Sequence, residues 1–534
     1  MNFLKKVDKT IFFVSAAVYA LIFLFIWIMP EVAFDSITSV MGFTLSSVGF
    51  VYIAGYAVIF ISFLGLALSK YGKVTLGKQG EKPEYSFFSW MAMLFICGLG
   101  VGIVFFGVTE PMSHFMLAPF TESGTTEAAI DAMRITFFHW TLLPWAAYGI
   151  AGLCIAYFLH VKGLPTLVSS SFHPTLGDKI HGTPGKIIDS FSLIALICGI
   201  SMSLGFAATQ FTTGMHYQYG TPDGFLFIVL AAIFIAGVAI ASAMSGVGRG
   251  IKALSRWNMY IVFFFMIFAF IFGPTRFLIS SFFQGMGDFI VNLPAMTLFM
   301  DAYGTTEERV GFDWVSGWTI MYWAWWVAFI PFVGGFLASI SKGRTIREYV
   351  LACTFVPGLI TVLWFVFFGG GAIHMDLVEG RGIGERIMAN TENSLFVYLA
   401  ELPIAAITIP IALFLILLMI ITSVDSAAYV AGQYSSGGKY IPPLSLRAFW
   451  GIFIVVNALL FINIGGIAML RDIAIVFAFP FMIIVLLMIY NLIKELIRSH
   501  SGGVGLVASK PDEHVPLVVS EKEGVEKTME DSES

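Results

Sequence analysis

Apolar runs of about twenty residues recur along the whole chain, separated by short stretches that carry most of its charge, and few folds accommodate that pattern. As an α-helix, such a run crosses the roughly 30 Å hydrocarbon core of a bilayer, where each backbone polar group must find its partner within the segment. Window hydropathy places about twelve runs, roughly at 11–30, 47–69, 88–106, 136–159, 188–207, 225–244, 258–273, 316–340, 349–370, 404–430, 446–464 and 471–493. With 58% hydrophobic residues, 12% charged ones and a mean hydropathy of +0.87, a water-soluble fold could not hide its apolar surplus. The expectation is an all-α polytopic membrane protein with twelve transmembrane helices.

Basic residues set the orientation, because Lys and Arg are retained on the cytoplasmic side. Lys5, Lys6 and Lys9 precede the first run; Lys70, Lys73 and Lys78 follow the second; Lys162, Lys179 and Lys186 follow the fourth. The alternation continues with Arg249, Lys252 and Arg256, then Lys342, Arg344 and Arg347, then Lys439 and Arg447, and finally Lys494 and Arg498. The intervening loops carry Glu31 and Asp35, then Glu122, Glu127 and Asp131, then Asp301, Glu307, Glu308 and Asp313. Both termini are therefore expected in the cytoplasm, with the chain in the cell (inner) membrane. No small-residue cleavage site follows the first run, which reads as a retained span rather than a secretory signal. Cys97, Cys154, Cys198 and Cys353 sit in apolar segments without metal-ligand spacing and read as packing residues.

Glycine or proline interrupts the third and eighth runs, with four ordinary runs between them, as in transporters built from inverted repeats. The chain divides accordingly. Residues 1–87 hold the N-terminal segment and two peripheral spans, 88–273 the first five-helix repeat, 274–315 an external interfacial helix and loop, and 316–493 the second repeat. In 274–315, Phe277 to Leu293 carries Gln284, Asp288 and Asn292 at helical spacing, which suits a helix lying along the interface. The tail at 494–534 is acidic and composed like a disordered segment.

Three segments carry chemistry. In the third run, Gly98, Gly100 and Gly102 each weaken a helix by about 1 kcal/mol relative to alanine, so the helix can open there and offer backbone groups to a ligand; close helix packing is the competing reading. Trp140, Trp145 and Tyr148 in the fourth run, and Trp323, Trp325, Trp326 and Phe329 in the eighth, put aromatic faces in mid-span rather than at the membrane interface. Converging aromatic faces in a dry cavity suit a quaternary ammonium group. In the tenth run, Thr422 and Ser423 offer oxygens to a hard cation, against the alternative that they bond back to their own helix. Asp425 reads as the one acid at the centre of a span, and its position speaks against a proton-coupled amine carrier with a buried counter-charge. His139 is read as satisfying a neighbouring helix, with proton transfer as the lesser alternative. No catalytic triad or metal cluster appears, so the chain is not expected to be an enzyme, and no cofactor is expected.

Taken in order, these residues resemble the betaine/carnitine/choline transporter family. The likeness runs through the glycine stretch with Phe105, Phe106, Glu110 and Pro111, then Trp140, Trp145 and Tyr148, then Trp323, Ala324, Trp325 and Trp326, then Ser341 to Glu348, and covers roughly Lys5 to Lys494. It implies twelve transmembrane helices with two inverted five-helix repeats in the LeuT-like arrangement, alternating access, and commonly a homotrimer. Trp140, Trp145, Tyr148 and Trp326 would form the cage around a methylated nitrogen. Sodium, the implied coupling ion, would meet backbone oxygens of Ile96, Leu99 and Met419 and the hydroxyls of Thr422 and Ser423. A second sodium site would draw on Ser201, Ser203 and Phe332. Phe329 stands where betaine members often carry Trp, Ala328 replaces a frequent Ser and Leu99 a frequent Met, while Gly102 in place of Asp argues against choline. A tail without a long basic helix points to uptake without strong osmotic activation. The implied partners are a small methylated ammonium substrate of glycine betaine or trimethylamine type, sodium and lipid, with no nucleic acid. Alternatives are a sodium-independent antiporter of carnitine or betaine compounds, and a ligand-gated channel or receptor for the same ligands.

Overall fold

The computed structural model describes residues 7–98, 100–244, 249–438 and 442–501. Among the described residues, regular structure is helical apart from an isolated β-bridge between Thr75 and Thr345. The principal helices are α1 (Lys9–Ile28), α2 (Pro30–Val48), α3 (Phe50–Leu68), α4 (Phe87–Gly98), α5 (Gly102–Met116), α6 (Thr126–Trp140), α7 (Leu142–His160) and α8 (Thr183–Tyr219). They continue as α9 (Phe225–Met244), α10 (Arg249–Phe272), α11 (Thr275–Thr297), α12 (Met321–Ile340), α13 (Ile346–Phe365) and α14 (Ala405–Ser435). The last two are α15 (Leu444–Gly466) and α16 (Ala468–His500), which meet at a kink where Gly466 takes φ 65°.

Ten helical segments among the described residues are long and apolar enough to cross a bilayer, or eleven with the bent pair α10–α11 taken as one span. The protein is a polytopic membrane protein. The sequence expectation of about twelve runs counts the third run as one helix, and there the structure differs. Helix α4 ends at Gly98 and α5 begins at Gly102, so α4 has 12 residues and α5 has 15. At 1.5 Å per residue these reach about 18 and 22 Å, and neither alone crosses the core. The opening falls where the alternating glycines place it.

The eighth run behaves otherwise. Pro331 lies inside α12, which continues unbroken from Met321 to Ile340, and the irregular part is a π-helical turn at Val315–Ile320. Proline removes one backbone donor, and a packed membrane helix absorbs that loss without opening. A matching interruption in the eighth run is therefore not found. A further helix, α2, appears where hydropathy gave no run, because Glu31 and Asp35 dilute its apolar content.

Burial sorts the helices into an inner group and an outer group. Helices α7, α8 and α12 are buried almost throughout, whereas less than a third of α1 and α9 is buried, which leaves them apolar surface of the kind a helix presents to lipid. Helices α7 and α12 approach so closely that a Cβ on Gly334 would stand 3.2 Å from the Gly152 nitrogen, as small residues permit. After Gly273 and Pro274 the chain turns by 111° into α11, the segment read from sequence as an interfacial helix.

The motif from Ser341 to Glu348 fastens a corner of the fold. Leu76 N–H donates to the Arg344 carbonyl at 2.8 Å, and Gly343 N–H donates to the Leu76 carbonyl at 2.7 Å with Gly343 at φ 79°. The Arg344 guanidinium lies 4.6 Å from the Trp90 ring centre, donates to Glu348 at 2.5 Å and to the Tyr85 carbonyl at 2.6 Å. Trp90 in turn donates its indole N–H to Ser341 at 3.1 Å.

Candidate functional site

Helix α6 ends at Thr141, whose φ −111° and ψ −105° are not helical and whose hydroxyl donates back to the Phe137 carbonyl. Trp140 is thus the last residue of α6, and Trp145 and Tyr148 sit one and two turns into α7. The bend brings Trp140 edge-on to Trp326 of α12, with ring centres 5.1 Å apart and planes at 87°. Tyr148 meets the same Trp326 at 5.5 Å and 77°, and Trp145 meets Tyr148 at 5.9 Å and 82°. Such edge-to-face pairs are the favoured aromatic geometry. Trp325 lies beside Trp326 at 6.0 Å and meets Phe329 at 6.3 Å. All six side chains are buried.

Trp323 is not brought to this cluster. It stacks on Tyr56 of α3 at 4.2 Å, with planes 14° apart, and Tyr56 donates its hydroxyl to the Trp323 carbonyl at 3.1 Å. A helix that carries Trp326 toward α7 points a residue three positions earlier partly aside, and here Tyr56 and Phe138 take it up.

The glycine stretch meets the box at Gly102. A Cβ there would lie 2.5 Å from Trp325 Cη2 and 3.1 Å from Trp140 Cη2, so both indoles rest against its backbone, whereas a Cβ on Gly100 would meet nothing within 4 Å. Gly98 belongs to the last turn of α4, and Leu99 lies outside the described residues.

Behind Trp140 the structure adds a buried acid to the sequence reading, in which Asp425 is the one acid at the centre of a span. Helix α5 extends beyond the hydropathy window and carries Glu110, which is fully buried. Its Oε2 accepts from the Trp140 indole at 2.5 Å and from the Tyr322 hydroxyl at 2.5 Å. Its Oε1 lies 2.7 Å from His139 Nδ1 and 3.5 Å from His114 Nε2, and His139 Nε2 is 2.9 Å from the Thr319 hydroxyl. Among the described residues, Glu110, His114 and His139 are the one group of three with metal-capable atoms within 4.8 Å of one another. The 2.7 Å separation is a hydrogen-bond length, shorter than the roughly 3 Å that separates ligands around an ion bound at about 2.0–2.1 Å. Asp425, by contrast, is occupied by Arg447 at 3.1 Å and Ser242 at 3.0 Å.

In α14, the Thr422 hydroxyl lies 2.8 Å from the Met419 carbonyl and the Ser423 hydroxyl 2.9 Å from the same atom. Both bond back to their own helix, the alternative weighed from sequence, and three oxygens thereby converge. Asn258 of α10 donates to Thr422 at 3.2 Å, and its own Oδ1 is buried without a partner. Ile96 belongs to α4. The second set lies on α8, with Ser201 and Ser203, and on α12, with Phe332. Ser201 faces α15, donating to the Ile454 carbonyl at 3.1 Å and accepting from Asn457 at 2.9 Å. Ser203, two positions along and therefore about 200° round the helix, has a buried hydroxyl without a partner, and Phe332 lies beside Phe329.

Glu110 and Tyr322 are the neighbours of the box that the residue-by-residue reading passed over. A Glu-Pro pair within ten residues of an apolar run was the available signal for the first. For Tyr322, its place one turn before Trp326 was the signal.

The sequence profile described as "BCCT, betaine/carnitine/choline family transporter" matches residues 10–501. Among curated relatives, a probable glycine betaine transporter of Desulfitobacterium hafniense is 39% identical over 93% of this chain and 99% of its own length. A glycine betaine transporter of Bacillus subtilis is 40% identical over 92% of this chain and 95% of its own. An ectoine/hydroxyectoine transporter of Virgibacillus pantothenticus is 36% identical over 92% and 97%, respectively. These relatives are transporters, not enzymes, and with a match that spans nearly its whole length the chain belongs to the betaine/carnitine/choline transporter family.

Proposed function

We propose that the protein imports a small methylated ammonium zwitterion of glycine betaine type, by alternating access and with sodium as the coupling ion. The observation that carries this reading is the convergence of Trp140, Tyr148 and Trp326, contributed by three helices, into one buried edge-to-face cluster. Desolvated aromatic faces attract a methylated cation by about 2 kcal/mol each. The indole N–H groups of Trp325 and Trp326 are buried without an acceptor. A ligand that also carries a carboxylate supplies one, which favours a zwitterion over trimethylamine. The names of the two glycine betaine relatives support the same choice.

Sodium suits the oxygens of Met419, Thr422 and Ser423, a donor set for a hard cation, and the opening after Gly98 would free the carbonyls of Ile96 and Leu99 to complete it. The same reading includes twelve spans with two inverted five-helix repeats, both termini in the cytoplasm, and a homotrimer in the cell membrane. It is supported by the interrupted α4–α5 span, the alternation of basic loops and the family resemblance. The experiment is uptake of glycine betaine into proteoliposomes. Trp326→Ala is expected to weaken binding about 30-fold, the equivalent of one ring, and replacing sodium by potassium to abolish accumulation. Unchanged binding would remove the box, and accumulation without sodium would remove the coupling.

A further inference from the structure

We propose that Glu110 is the buried counter-charge of the aromatic box, acting on the bound cation through the two rings whose polar hydrogens it holds. The inference rests on the box reading above and deepens it. The carboxylate is enclosed by protein and meets four groups: the Trp140 indole and the Tyr322 hydroxyl on one oxygen, His139 and His114 on the other. None of the four is a lysine or arginine, so no neighbouring cation among them neutralises it.

The network sets the direction of each hydrogen bond. The Trp314 indole, which can only donate, points at His114 Nδ1 at 3.4 Å, so the His114 proton sits on Nε2, 3.5 Å from Glu110 Oε1 but without a hydrogen-bond partner. With the Thr319 hydroxyl donating to His139 Nε2, the tautomer that suits an ionised Glu110, the His139 proton stands on Nδ1 at 2.7 Å from Glu110. Trp140 has only an N–H to give. A carboxylate accepts and never donates, and this set of donors is complementary to the ionised form. A buried anion held this way costs free energy unless something else gains from it.

Trp140 provides the connection. Its N–H edge meets Glu110 and the far tip of the same indole rests against Gly102, so the ring reaches from the carboxylate to the glycine stretch. Its face also stands at right angles to Trp326. Drawing the N–H toward a carboxylate leaves the indole richer in electrons, and the charge itself acts through a low-dielectric path with no water to screen it. Tyr322, whose ring centre lies 5.3 Å from that of Trp140, is polarised by the same oxygen. Glu110 is thus a positioning residue that reinforces the affinity of the box for positive charge. A neutral ligand of the same shape would fill the box and gain nothing from it.

The test compares two isosteres that differ only in that charge, together with the quaternary cation alone. Glycine betaine, tetramethylammonium and 3,3-dimethylbutanoate, in which carbon replaces the quaternary nitrogen of betaine, are titrated by calorimetry and by competition against the wild-type full chain and Glu110→Gln. Expected is a loss of tenfold or more for both cationic ligands, with 3,3-dimethylbutanoate changed less than twofold. Tyr322→Phe, which removes one bond and leaves the carboxylate in place, is expected to give a smaller loss with the same charge selectivity, and it carries the test if Glu110→Gln does not fold. Equal losses for ligands with and without the quaternary nitrogen would mean that Glu110 only packs the site, and an unchanged ratio in both variants would overturn the proposal. The box reading is judged separately. If Trp140→Ala and Trp326→Ala bind glycine betaine as the wild type does, the box falls whatever Glu110 does. If they lose binding while the charge ratio is untouched in Glu110→Gln, the box stands and the counter-charge falls.

Discussion

Replacing Gly102 by alanine adds one methyl group at the place where the glycine stretch and the aromatic box touch. Its Cβ would stand 2.5 Å from Trp325 Cη2 and 3.2 Å from Cζ3, and 3.1 Å from Trp140 Cη2. Carbon atoms rest at about 3.5–4.0 Å, so the Trp325 ring has to retreat by about 1 Å, and Trp326 and Phe329 are packed behind it. Overpacking of this kind costs about 1–3 kcal/mol. Alanine at the first position of α5 returns up to about 1 kcal/mol of helix propensity, so the folded protein is expected to lose little thermal stability in detergent. The box, however, loses its shape. We expect glycine betaine affinity to fall about 10- to 100-fold by calorimetry, the equivalent of about 1.4–2.7 kcal/mol, with uptake falling in step. Gly100→Ala is the control, because its Cβ meets nothing within 4 Å, and it should bind within about twofold of the wild type. Wild-type affinity in Gly102→Ala, or a greater loss in Gly100→Ala, would show that the box and the glycine stretch do not meet as described.

Thr422→Ala removes one of three converging oxygens and is expected to raise the sodium concentration for half-maximal uptake about tenfold, with glycine betaine binding restored at saturating sodium; a sodium curve identical to the wild type would exclude the hydroxyl as a ligand. Arg344→Ala should lower the melting temperature in detergent by the equivalent of about 2–3 kcal/mol, since it loses the Glu348 pair, the Tyr85 carbonyl and the Trp90 face together. Arg344→Lys should recover less than half of that, because an ammonium cannot serve all three at once, and full recovery would contradict the geometry. Tyr56→Phe is expected to cost about 1 kcal/mol of stability and leave substrate affinity alone, as Trp323 stands outside the box; a binding defect would return Trp323 to the site.

The membrane class, the helix runs and the opening between Gly98 and Gly102 were legible because each depends on local chemistry: apolar length, and glycine at alternate positions. The meeting of Trp140, Tyr148 and Trp326 was also readable, since aromatic residues in mid-span have few reasons to be there. What failed depends on tertiary partners. A helical wheel over 136–159 assumes one straight helix, and the bend at Thr141 changes where Trp140 points. Trp323 and Trp326 looked equivalent on a wheel until Tyr56 claimed the first. Pro331 read as an interruption, although a packed helix carries it. Glu110 escaped because a hydropathy window closes a span at the first strong acid, which hides an acid solvated by indole, phenol and imidazole. Ser201 and Ser203 are adjacent in a list of hydroxyls and face different neighbours in space.

The opening between α4 and α5 has a mechanical side. Trp90 on α4 is bonded to Ser341 and gripped by Arg344, so α4 is tied to the corner that joins α12 and α13. Helix α5 has further ties: Glu110 binds it to His139 and Trp140 of α6, and Thr109 donates to the Thr391 carbonyl. Tyr322 of α12 also donates to Glu110, and Trp364 of α13 donates to the Ile103 carbonyl at 2.9 Å, so both pieces of the span are anchored on the α12–α13 pair. Gly102, at the head of α5, rests directly on the indoles of Trp140 and Trp325, so the placement of that first turn sets the room those two rings have.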